Sequence, residues 1–574
     1  MVGSSCVFAL ALSACSNNTG TNIGGSQANI ERASTSSISV DPEDSMGPAP
    51  DVAGAAKGGT LLVLRENGIA HLDPQRIYSF AGLMNAQLYA RTLTAFTDEG
   101  KGDVTLVGDL ATTAGQDLNN DCTAWEYTVK DGVKFEDGRP ITSKEIAYGI
   151  ARSFDPDLSG GPTYLQEWLA DTPQYDTAWD FQANKNSLPP GLTTPDAKTL
   201  RFEFNRPHCD LPFAASLPYT APLPPDKDTG IDLDKRPFSS GPYKFVTNTA
   251  GVELELDRNT HWDPESDPIR HQYPDRFVWS FGASPDASAN RIISDTGGDQ
   301  AALGWNGVPA ALVSRVAGDS SLASRTLLSP TPSANRLTIN VQRVTDLKVR
   351  QALNYAIDRG GLVKSVGGST KASPLTTLMP PGTLGYQKYD AYPAGDGGDL
   401  VKARELLAGA SPSLVLVVAD TNTSTSTQLK ANLEHAGFKI TVKTVPADEM
   451  LDEVGKQNNP WDLYMSNWAA DWPSGAAILP VLYDGRKIKA TNNSNVSYVN
   501  DDAINADFDR VLALSPAEQA AEWGKLDERI MTEKAPAIPL YVDVGYYLTG
   551  SRVGGVFIGS VFGYPSFANA HVKP

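Results

Sequence analysis

The chain has 574 residues, enough for two or more domains and a large core. Its 48 Lys and Arg against 67 Asp and Glu leave a formal net charge of −19. That balance argues against nucleic acid or an anionic membrane surface as partners, because both are held through basic patches.

At the amino terminus, Val7 to Leu12 is an apolar run far too short to span a bilayer. It ends in Leu12-Ser13-Ala14-Cys15, which matches a lipobox: residues 1–15 read as a lipoprotein signal peptide, cut before Cys15, whose sulfur then carries a diacylglycerol. No Lys or Arg precedes the run, although secretory signals begin with a basic region, and this points to a start codon upstream of Met1. Residues 16–58 are rich in Ser, Thr, Asn, Gly and Ala and read as a disordered tether, since they offer too little apolar surface to offset chain entropy. Of the four cysteines, Cys6 leaves with the signal and Cys15 is lipidated. Cys122 and Cys209 remain, and an oxidising compartment favours a disulfide between them over two separate buried thiols. Without a C-x-x-C spacing, no zinc site is expected.

The folded body opens with a strand at Lys57 to Leu64, and Ala86 to Phe96 is amphipathic and predicted helical. Trp125 to Val129 alternates as a half-buried strand, Asp131-Gly132 and Asp137-Gly138 supply turns, and Thr142 with Glu145 forms a capping box opening a helix through Phe154. Strands follow at Leu200 to Phe204, Ser239 to Val246 and Arg276 to Gly282, then a helix at Ala287 to Ile293. Arg336 to Val341 is a strand, and Asp346 caps a helix through Asp358. Leu414 to Ala419, Ser426 to Ala436 and Phe438 to Val445 read strand, helix, strand, a parallel α/β unit. Ser515, Pro516 and Glu518 open a helix running to Met531, and Ala537 to Tyr541 is a last strand.

The chain is organised around Trp461 to Arg486. Leu463, Tyr464 and Met465 suggest a strand buried on both faces, broken by Pro473, Ser474 and Gly475 into a loop that holds Trp468, Asp471 and Trp472. A carboxylate between two indoles suits a ligand with a cationic end: the carboxylate takes an ammonium through a charge-assisted hydrogen bond, and the indoles supply apolar wall. The alternative is two core tryptophans and a surface aspartate in a turn.

Trp468-Ala469-Ala470-Asp471-Trp472 resembles the W-x-A-D-W/Y ligand loop of family 5 extracellular solute-binding proteins, the peptide-binding group of ABC importers. The stretches DGVKFEDG at Asp131, SSGPYKFV at Ser239 with LELDRNTHWD at Leu254, and LKVRQALNYAID at Leu347 resemble family motifs as well. The resemblance implies a two-lobed α/β fold of the periplasmic-binding-protein kind (cluster C, type II) with an extra subdomain in its first lobe. It places the first lobe at 59–283, the second at 284–536 and a return to the first at 537–574. Two crossings imply a hinge, with ligand held in the cleft as the lobes close. By the same resemblance Asp471 pairs with a peptide's α-ammonium, and Tyr78, Ser79 and Phe80 form the contact segment of the opposite lobe. Asn467 and Ala469 would offer backbone groups for β-type pairing, which reads any peptide regardless of sequence. No residue stands out as partner for a ligand carboxylate.

The implied function is a lipid-anchored, extracytoplasmic receptor on the outer face of the cell membrane. It would act as a monomer, without cofactor or metal, passing oligopeptides to an ABC permease. Within the fold, a nickel chelate, haem or oligosaccharide is the rival ligand. A secreted hydrolase is the rival of another class, but no G-x-S-x-G elbow, P-loop, G-x-G-x-x-G or H-E-x-x-H supports an enzyme.

Overall fold

A computed structural model describes residues 36–446, 449–491 and 493–574. The expected signal peptide, Cys6, Cys15 and the first part of the expected tether lie outside the described residues.

Thr60–Arg65 (TLLVLR) buries Leu61 and Val63 on one face and Leu64 on the other, as an inner strand must. It lies in a five-stranded sheet ordered Ala302–Gly304, Thr60–Arg65, Arg276–Phe281, Glu253–Arg258, Tyr243–Thr249. The first three strands run parallel, and the last two form an antiparallel hairpin turned at Gly251, whose φ of +70° is open to glycine. Trp279, Phe277, Phe245 and Leu256 fill one side of this sheet. The helix Pro285–Ser294, through Ile292, covers the other with Val308, Val313 and Leu548.

The second sheet has six strands, ordered Ala372–Pro374, Ala537–Leu548, Thr326–Ile339, Leu463–Ala469, Ser413–Ala419, Lys439–Val445. Its last two strands are parallel and joined by the helix Thr423–Ala436, the α/β unit expected from the sequence. Two long strands connect the lobes. Thr326–Ile339 and Ala537–Leu548 run antiparallel, and their register slips between Pro330 and Ala334. On one side of the slip, Tyr546 and Leu548 pack with Leu64 of the first sheet; on the other, Leu337, Ile538 and Leu540 pack into the second lobe. The boundary expected at residue 284 therefore moves to the strand Thr326–Ile339, because Pro285–Ser294 and Ala302–Gly304 belong to the first sheet.

The extra subdomain carries a four-stranded sheet made of Gln116–Asp117, Ala124–Thr128, Thr199–Glu203 and Leu192–Thr193. The helix Ser143–Arg152 opens with the anticipated capping box: the Glu145 carboxylate accepts from Thr142 N at 3.0 Å, and Thr142 Oγ1 accepts from Lys144 N at 3.3 Å. Cys122 and Cys209 form a disulfide across 87 residues, a loop whose closure stabilises by about 4 kcal/mol in the chain-entropy model.

Two expectations are corrected. The tether is not disordered throughout: Ser36–Ile38 pairs parallel with Val104–Gly108, and the buried Ser45 Oγ accepts from Gly108 N at 2.9 Å. Pairing with a sheet edge uses backbone groups, which a count of apolar side chains leaves out. The helix expected at 86–96 is instead Phe80–Tyr89, capped by Ser79, followed by the strand Thr94–Asp98. The cap starts the helix earlier, and the β-branched Thr94 and Thr97 favour extended chain after it.

Candidate ligand cleft between the lobes

The strand Leu463–Ala469 (LYMSNWA) alternates from Leu463 to Ser466. Leu463 and Met465 pack in the second lobe's core beside Leu337 and Ile339. Tyr464, Ser466 and Trp468 turn the other way and line a cavity of about 480 Å³ between the lobes. The strand is thus buried on one face rather than two, and Trp468 belongs to it rather than to the loop beyond. It pairs along its whole length with Thr326–Ile339, from Ile339 opposite Leu463 to Ser333 opposite Ala469. Ser413–Ala419 meets its other edge at Leu463 and Tyr464, so among the described residues no strand flanks that edge from Met465 to Ala469.

Asp471 follows where the strand ends. Its Oδ2 accepts hydrogen bonds from the Tyr78 hydroxyl at 2.7 Å and from the Tyr164 hydroxyl. Both tyrosines belong to the first lobe and line the cavity. Burial pushes the Asp471 carboxyl up to about 6, against the lowering effect of the two hydroxyls. Among the described residues no Lys or Arg forms an ion pair with it. Burial and the nearby carboxylate hold the Tyr164 hydroxyl well above its ordinary range, so it donates and stays neutral.

The two indoles have different roles. Trp472 is 1% exposed, meets Tyr164 edge-on with ring centroids 4.6 Å apart, and donates from Nε1 to Asp210 Oδ2 at 2.9 Å. Asp210 also accepts from Gln519 Nε2 at 3.1 Å, and burial pushes its carboxyl up to about 6. Each lobe therefore presents one carboxylate to donors of the other, Asp210 buried and Asp471 half-buried. Trp468 is half-buried on the cavity wall, its Nε1 held by Ala477 O at 3.0 Å.

Asn467 also lines the cavity, but its side chain is engaged across the sheet: Nδ2 donates to Asn335 Oδ1 at 3.0 Å, and Oδ1 accepts from Ser333 Oγ at 2.7 Å. Ala469 lies opposite Ser333 at the strand's end. Of the predicted contact segment, Tyr78 reaches the cavity and Asp471. Ser79 Oγ instead accepts from Gly82 N at 3.3 Å as helix cap, and Phe80 stacks on Tyr564 at 4.7 Å. Tyr164, Asp210 and Arg336 escaped the sequence reading. Arg336 carried a signal: a lone arginine in the alternating strand N-R-L-T-I-N, on the face opposite Leu337 and Ile339.

Residues 105–490, more than half of the chain, match the bacterial extracellular solute-binding proteins, family 5 Middle. The chain belongs to this family. Family 5 proteins serve ABC importers as solute receptors, and the two-lobed fold agrees. The glutathione-binding protein GsiB of Salmonella typhi is 22% identical over 471 residues, spanning 80% of this chain and 85% of that protein. The periplasmic murein peptide-binding protein MppA of Escherichia coli strain K12 is 23% identical over 524 residues, covering 85% of this chain and 90% of that one. Among solved structures, the clavulanic acid biosynthesis oligopeptide binding protein 2 superposes with a TM-score of 0.83 at 28% identity, covering 94% of this chain and 99% of that chain. Among the described residues, no helix is long and apolar enough to cross a membrane, and no group of three His, Cys, Asp or Glu is placed to hold a metal.

Proposed function

We propose that this family 5 protein captures short peptides in the interlobe cleft and hands them to the permease of an ABC importer, held at the outer face of the cell membrane by a lipid on Cys15. The observation that carries this is the Asp471 carboxylate, half-buried at the cleft and held, among the described residues, by two tyrosine hydroxyls rather than by a cation. A carboxylate so placed is matched by the α-ammonium of a peptide, which can take the place of the two hydroxyls or share the oxygens with them. The unflanked edge of Met465 to Ala469 supports the second part of the reading, main-chain pairing with an extended ligand. Relatives point the same way: one is a glutathione-binding protein and another a murein peptide-binding protein.

The test is mass spectrometry of what co-purifies under native conditions, followed by calorimetry with those ligands. Short peptides are expected, and Asp471→Asn should weaken them by roughly 1.5–3 kcal/mol, the scale of a hydrogen bond to a charged group. Recovery of a sugar, a haem or a metal chelate, or peptide affinity indifferent to Asp471→Asn, overturns the reading. For the anchor, Cys15→Ala is expected to move the protein from the membrane fraction into the medium.

A further inference from the structure

A second carboxylate joins the two lobes. Asp210 opens the short helix Leu211–Ala214, yet its side chain caps no backbone amide there. Its oxygens turn to the other lobe instead. Oδ2 accepts from Trp472 Nε1 at 2.9 Å, Oδ1 accepts from Gln519 Nε2 at 3.1 Å, and the Ser474 hydroxyl adds a third donor. Asp210 is 3% exposed, and Trp472 and Gln519 are buried with it. Gln519 is itself fixed, donating also to Leu514 O at 3.0 Å and accepting from Trp523 Nε1 at 3.1 Å. Trp472 directly follows Asp471 and meets Tyr164 edge-on, the same tyrosine whose hydroxyl reaches Asp471. Through Trp472 and Ser474, Asp210 thus holds the loop that carries Asp471.

Among the described residues no charged side chain faces this carboxyl. On its own loop, His208 stacks on Trp168 at 4.4 Å and burial holds it down to about 3, so it is neutral, and Arg206 pairs with Asp171. On the facing loop, Asp471 turns to Tyr78 and Tyr164. On the helix Pro516–Lys534, Glu518 accepts from the Ser515 hydroxyl, Glu522 pairs with Arg510 and Lys525, and Asp527 accepts from Leu378 N, Met379 N and the Tyr389 hydroxyl. An ionised carboxylate entering such a site gives up its hydration for neutral donors alone, and a proton removes that cost. We propose that Asp210 is a proton-linked latch: it fixes the loop of Asp471 against the first lobe, and the lobes close on it with uptake of a proton. Mild acid then favours the closed form and neutral pH the open one. The latch acts whatever ligand the cleft takes.

The experiment is small-angle X-ray scattering on the full-length protein, freed of retained ligand by unfolding and refolding, at pH 5 and pH 7. Closure raises the Asp210 carboxyl from its ordinary 3.8 to about 6, so its stabilising effect on the closed form is complete below about pH 4 and is lost as pH rises through about 6. From pH 7 to pH 5 the wild-type ratio of closed to open form should therefore rise about tenfold. Asp210→Asn, which keeps the shape of the side chain but does not titrate, should lose that rise. Asp471→Asn should keep it. Asp210→Ala should favour the open form at both pH values. A wild type whose shape is the same at pH 5 and pH 7 overturns the latch, as does an Asp210→Asn protein that keeps the full rise or a rise that vanishes with Asp471→Asn alone. If Asp210→Ala does not fold, the wild type and Asp210→Asn decide.

Discussion

In the first lobe, Asp109 lies fully buried between two guanidiniums, Arg91 Nε at 2.7 Å and Arg270 Nη2 at 2.8 Å, and Asp267 takes Arg270 at 3.1 Å. Lys130 completes this cluster, its Nζ donating to Gly108 O and Ser266 O at 3.0 Å each. The arginines hold both carboxyls below their ordinary range despite complete burial. At the cleft the rule is reversed. Among the described residues, the half-buried Asp471 and the buried Asp210 meet hydroxyl, indole and amide donors rather than a cation, and Arg336 donates to the Tyr483 hydroxyl. A buried charge that meets its counter-charge inside the chain is scaffold. One that meets only neutral groups is unfinished, and a ligand or a proton can supply what is missing.

The strongest way to break this comparison is Asp109→Ala. It leaves two buried guanidiniums to share Asp267, which lies 3.1 Å from Arg270 and 3.8 Å from Arg91, and unfolding in urea should show a loss of about 3–5 kcal/mol. A loss below 1 kcal/mol would mean the cluster is not scaffold. The opposite sign is expected at the cleft. Asp471→Asn removes an ionised group whose carboxyl is raised from 3.8 to about 6, and should stabilise the ligand-free protein by up to about 3 kcal/mol at pH 7.

The pH dependence sharpens the same contrast. Asp471 and Asp210 bind their protons more tightly folded than unfolded, so their contribution is fully present below about pH 4 and is lost as pH rises through about 6. The slope is at most about 1.4 kcal/mol per pH unit for each group. Asp109 and Asp267 run the other way: their contribution is present above the ordinary aspartate value and lost as pH falls through their depressed values. Urea midpoints measured at pH 4.5 and pH 6.5 for wild type and Asp471→Asn should therefore differ in slope. In Asp210→Asn, which lacks the proton of the latch, ligand affinity should instead rise with pH and level off above about 6, because the ammonium needs the ionised Asp471 carboxylate. The smallest effect belongs to Ser79. Ser79→Ala removes a helix cap and should cost about 1 kcal/mol of stability while leaving peptide affinity unchanged; a change in affinity would put Ser79 in the cleft after all.

Local chemistry was the legible part of the sequence. The capping boxes at Thr142 and Ser515, the α/β unit around Thr423–Ala436 and the Cys122–Cys209 pair each depend on residues whose meaning is fixed by near neighbours or by elimination. Asp471 was legible through its tryptophans. Its partners were not: Tyr164 is 307 positions away, and nothing near Tyr164 announces a ligand site. Asp210 was hidden for the same reason, as its donors Trp472 and Gln519 come from the other lobe. The helix at Phe80–Tyr89 was misplaced because the run to Phe96 keeps an apolar rhythm that a strand also satisfies once Arg91 turns inward to Asp109.

Asp210 directly follows Cys209, and the bond to Cys122 staples this loop to the start of the strand Ala124–Thr128. The loop is too short-leashed to travel with the second lobe if that lobe swings away, as the expected hinge implies. Release must then rupture the contacts of Trp472 and Gln519 with Asp210 at one place, rather than peeling a slack loop off gradually, so the cleft should open as a clasp does, all at once.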